Sequence, residues 1–140
     1  MIPGSQENII DPNQQEALGW RREVHKFRIE VVRRGNGINL QDAQMLRTLA
    51  DIFAGVLPLN NTSPLELGEK FQEDRFEYQR AIEDINNDGQ YSDVECAEAI
   101  WKLTNAFVER CTTFMYDTLF VKAQKRKKET TEGIGYGRIR

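Results

Sequence analysis

Apolar residues recur along this chain at intervals of three and four, the period of a helix that buries one stripe, and four segments show it. In the first, Ala17, Trp20, Val24, Phe27 and Val31 fall on one line. Asp11-Pro12 opens that segment with a side-chain acceptor for orphan N–H groups, followed by a residue that has no N–H of its own. Gly35-Asn36-Gly37 closes it, because glycine takes the left-handed conformation without steric cost. The second segment runs from Asn39 to about Leu57 with Leu46, Leu49, Phe53 and Val56 inward, and Pro58 stops it. Residues 58–64 read as a connector. Ser63 and Glu66 stand at capping-box spacing for a third helix that carries Leu67, Phe71, Tyr78 and Ile82 and is acidic on its other face. The fourth starts after Ser92, again three residues before a Glu, with Ala97, Ile100, Thr104, Phe107, Cys111, Phe114, Thr118 and Val121 in line. Unbroken to Lys128 it would be roughly 50 Å long at ~1.5 Å per residue, a length that suits bundles and oligomers. The pattern predicts an all-α, four-helix bundle-like domain over 11–128 with a long C-terminal helix. It leaves an N-terminal extension, 1–10, and an extended C-terminal arm, 129–140.

A length of 140 residues allows one core and not two. With 39% hydrophobic and 29% charged residues and only four prolines, the composition is that of a folded helical protein rather than a disordered one. The net charge of −3 gives no general bias toward nucleic acid, but its placement is uneven. Acids outnumber bases from Glu66 to Glu95, whereas Lys122 to Lys128 is almost wholly basic. No run approaches the ~20 apolar residues that span a bilayer. The opening Met1-Ile-Pro-Gly-Ser-Gln-Glu has neither the basic nor the apolar region of a secretory signal. The expected location is therefore the cytosol, unless something carries the chain out, with no membrane partner. Cys96 and Cys111 are 15 positions apart on one predicted helix, about 22 Å at ~1.5 Å per residue, so they cannot pair and a reducing compartment follows.

One segment carries a chemical pattern: Asp84-Ile-Asn86-Asn-Asp88-Gly89-Gln90-Tyr91-Ser92-Asp93-Val94-Glu95. A hard cation takes six to eight oxygens. Asp84, Asn86 and Asp88 offer short side chains at alternate positions, Gln90 a backbone carbonyl, Ser92 a direct or water-mediated ligand and Glu95 a bidentate carboxylate, with Gly89 at the sharp turn. A helical pattern enters the segment and another leaves it. On these residues the chain resembles the EF-hand family, over about thirty residues. The resemblance implies a structural Ca2+, with Mg2+ the second choice. Family features missing here are a second loop and the flanking aromatics, whose places Glu83 and Cys96 take. The expectation is a static staple rather than a sensor that opens a groove. The competing reading is an acidic helix-turn-helix whose Asp and Asn residues cap and turn.

His25 is the only histidine, which excludes any site needing two imidazoles. Cys111 falls on an apolar stripe and reads as core, and Cys96 has no basic neighbour to activate it. With no nucleophile elbow, phosphate loop or zinc spacing, the expectation is a protein that is not an enzyme and takes no small-molecule substrate. The candidate partner-binding residues are Lys122, Lys125, Arg126, Lys127 and Lys128 in the basic run, and Tyr136, Arg138 and Arg140 in the glycine-punctuated tail. The run suits a helix C-terminus, a phosphate backbone, or an acidic face such as residues 66–83 of another copy. In size, helix content and tail shape the chain is similar to head-to-tail adaptor proteins of short-tailed bacteriophages, small helical proteins whose extended C-terminal arms dock on a portal ring. That resemblance implies a structural, self-assembling subunit with structural neighbours, located in a virion. The alternatives are a calcium-responsive protein-binding module and a packaging protein that meets nucleic acid through its basic segment.

Overall fold

Each helix whose start is described opens on a side chain that answers its orphan N–H groups. Asp11 accepts from the N–H of Asn13 at 2.8 Å while the Gln14 side chain accepts from the N–H of Asp11 at 3.3 Å. Asn39 and Asp42 make the same exchange at 2.7 and 3.3 Å, as do Ser92 and Glu95 at 3.1 and 3.0 Å. The computed structural model describes residues 11–59 and 65–120, which form four helices: α1, Pro12–Arg34; α2, Leu40–Gly55; α3, Leu65–Asn87; and α4, Asp93–Leu119. No strand occurs among the described residues, so the fold is all-α as the periodicity predicts.

The four run up and down around α4. Gln14 near the start of α1 donates to the Leu119 carbonyl at the end of α4, and Arg28 donates to the Asn105 side chain at 3.0 Å, so α1 and α4 are antiparallel. Phe71 of α3 stacks on Phe114 at 4.4 Å between centroids and Tyr78 on Phe107 at 4.3 Å, so α3 is antiparallel to α4 as well. Three buried alanines of α2, Ala43, Ala50 and Ala54, permit its close approach to α4. Gly35, in the left-handed conformation at φ 71°, turns the chain between α1 and α2, and an Arg34–Asp42 ion pair of 2.6 Å pins that corner. Among the described residues α3 approaches α4 and no other helix; Leu59 of the connector stands beside Gln72, Arg75, Phe76 and Gln79 on one flank, and the other is open.

Most stripe positions are buried as read; Trp20, Phe27, Leu49, Val56, Leu67 and Thr118 sit half-buried at the stripe edges. Two helix ends differ from expectation. α4 stops at Leu119 after 27 residues, about 40 Å at ~1.5 Å per residue, rather than running on to Lys128. Phe120 leaves helical geometry at φ −118°, ψ 4°, and the Leu119 carbonyl is taken up by the Gln14 side chain. α3 runs on to Asn87, into the segment assigned to a cation loop. Ser63, Val121, the basic run, the arm at 129–140 and the extension at 1–10 lie outside the described residues.

Candidate metal loop and the charged faces

Ile85 explains the longer α3. It follows Ile82 by three positions, packs half-buried against the core, and so carries the apolar stripe into the loop segment. Asp84 and Asn86 are therefore both helical. Two positions apart on a helix they differ by ~200° in direction, so their side chains cannot meet at one point. Beyond the helix, the Asp88 side chain accepts from the N–H of Gln90 at 2.9 Å, which forms an Asx turn. Gly89 does not use its freedom: among the described residues only Gly35 and Gly37 have positive φ. Ser92 and Glu95 then cap α4 reciprocally.

The hydrogen bond that Glu95 accepts from the Ser92 N–H, and then that with the Ser92 hydroxyl, hold its carboxyl below the ordinary value. All six candidate ligands, Asp84, Asn86, Asp88, Gln90, Ser92 and Glu95, lie exposed on one corner of the bundle. Their oxygens are of the kind a hard cation takes, yet as folded they do not fit a cage. No three carboxylate, thiol or imidazole residues come together among the described residues in a way that could hold a metal. Convergence on a cation would require the last turn of α3 to open and Glu95 to leave Ser92. The Asx turn and the cap are legible in the sequence; the overlooked signal is Ile85.

The outer face of α3 carries exposed Glu66, Glu69, Glu73 and Glu77, spaced by three and four, with Arg80 the next residue along the line. Among the described residues none of these glutamates forms an ion pair. Beside that face a groove of about 480 Å³ runs between α3 and α4, with Leu67, Phe71 and Phe114 beneath. Its rim sets Asp74, Glu109 and Asp117 against Lys70 and Arg110. It lies at the end of the bundle where α4 stops. Sequence reading found the acidic face but not the groove, which exists only once α3 and α4 are in register. Lys122, Lys125, Arg126, Lys127, Lys128, Tyr136, Arg138 and Arg140 lie outside the described residues.

Both cysteines are free; burial pushes the Cys111 thiol up, away from a reactive thiolate. His25 is exposed. No helix among the described residues is long and apolar enough to cross a membrane. No protein-family model, curated protein or solved structure matches the chain, so the EF-hand and adaptor likenesses rest on the sequence features given above.

Proposed function

We propose that the chain is a structural subunit of a multimeric assembly, of the kind found in virions as head-to-tail adaptors. In it the helical unit presents faces to neighbouring subunits, and the corner 84–95 is a static staple between α3 and α4. The observation that carries this reading is the acidic face of α3, whose glutamates have no ion-pair partner among the described residues, in a chain that also holds an almost wholly basic run at 122–128. Like charges three and four apart on a helix repel, and a complementary surface relieves them. The staple is supplied by the chain's own side chains, through the Asp88 turn and the Ser92–Glu95 cap.

Native mass spectrometry of the full chain tests the assembly. A species at a multiple of 16.2 kDa supports it. A lone 16.2 kDa species at every concentration, together with no uptake into a ring-forming partner, removes it.

A further inference from the structure

We propose that the segment Lys122–Lys128 of one copy docks along the outer face of α3 and the adjoining groove of a second copy, joining subunits head to tail. This rests on the assembly reading above and names the two surfaces that would perform it. Three observations converge. The acceptor face is a line of four exposed glutamates, Glu66, Glu69, Glu73 and Glu77, with no ion-pair partner among the described residues. The groove beside it adds Asp74, Glu109 and Asp117 against Lys70 and Arg110, so acids still outnumber bases, and its half-buried Leu67 offers apolar surface on which lysine and arginine stems can lie while their charges stay in water. The donor is five bases within seven residues.

The position of the donor favours a second copy over the same chain. Phe120 lies at the groove's own end of the bundle, because Asp117 is part of the groove wall. A segment starting at Lys122 could enter its own groove only by reversing direction at once, whereas a neighbour's segment can enter along its length. The twenty residues 121–140 can span up to about 65 Å when extended, ample to bridge two subunits. Because the two surfaces differ, the contact is heterologous, and repetition yields a ring if the rotation closes.

The test uses the full chain and two charge-reversed variants. The acceptor variant is Glu69→Lys, Glu73→Lys, Glu77→Lys; the donor variant is Lys125→Glu, Arg126→Glu, Lys127→Glu. The three glutamates are exposed, and circular-dichroism melting is the check that both variants fold. Light scattering should show self-association of the native chain, weakened by about tenfold or more in each variant alone. Mixing the two variants should restore assembly in alternating order, since the native donor meets the native acceptor and the reversed donor meets the reversed acceptor. A chain carrying both sets of reversals should regain assembly. If the native chain and both variants assemble alike, this docking is wrong while the assembly reading stands. If the native chain never associates, this docking is wrong, and the assembly reading falls with it only when no ring-forming partner takes up the chain. A monomeric native chain whose melting temperature falls in both variants would show docking within one chain and overturn the proposal.

Discussion

Thr104 interrupts the apolar stripe of α4 with a hydroxyl that is fully buried and lies 3.0 Å from the Tyr78 phenol oxygen. Each group satisfies the other, so removing one should cost more than removing both. Thr104→Val is predicted to destabilise by about 1–3 kcal/mol, and adding Tyr78→Phe should recover part of that loss in a denaturation double-mutant cycle. Burial is the main reason the Tyr78 phenol is pushed up to about 12. The folded value exceeds the ordinary one near 10, so stability from the neutral phenol is complete below pH ~10 and is lost as pH rises toward about 12. Absorbance titration should find Tyr78 ionising above the ordinary tyrosine range. Glu95 has the opposite sign. Its depressed value means that its contribution is present above the ordinary carboxylate range and is lost as pH falls through the lowered value. Glu95→Gln, which can still cap, should flatten that acid limb of a stability–pH profile. Thr104 was legible in the sequence as a stripe position, but its partner was not, because the pairing depends on how α3 and α4 align.

At the scale of elements, starts were more legible than ends. A cap is a transaction among residues three apart, so Asp11, Asn39 and Ser92 announce their helices locally. The end of α4 involves Gln14, 105 positions away, and no local pattern shows it. The end of α3 could have been read from Ile85, but the twelve-residue ligand spacing outweighed one apolar position. One glycine substitution separates the capped corner from a cation cage, and a second serves as its control. Gly89 has ordinary φ and open space where a Cβ would stand, so Gly89→Ala should be neutral or stabilise by up to about 1 kcal/mol. Gly35, at φ 71°, should lose about 1 kcal/mol on the same change. In thermal melts of chelator-stripped protein, calcium should leave the melting temperature unchanged. A calcium-dependent rise that disappears in Glu95→Gln would establish the cage instead, and a loss of stability in Gly89→Ala would point the same way.

Across the whole molecule, α4 is the shared wall, and α3 has α4 as its only helical neighbour among the described residues. Hydrogen exchange should accordingly be faster along α3 than along α2 or the middle of α4, with uniform protection counting against this packing. The all-α class was legible because every helix carries its own stripe; the open flank of α3 was not, because periodicity says which face is buried and not how many neighbours cover it. That open, acidic flank makes assembly the central claim. Its most direct test is light scattering of the full chain over a dilution series at low and high salt. The account predicts a mass at a multiple of 16.2 kDa that falls as salt screens the contact, whereas 16.2 kDa under every condition would contradict it.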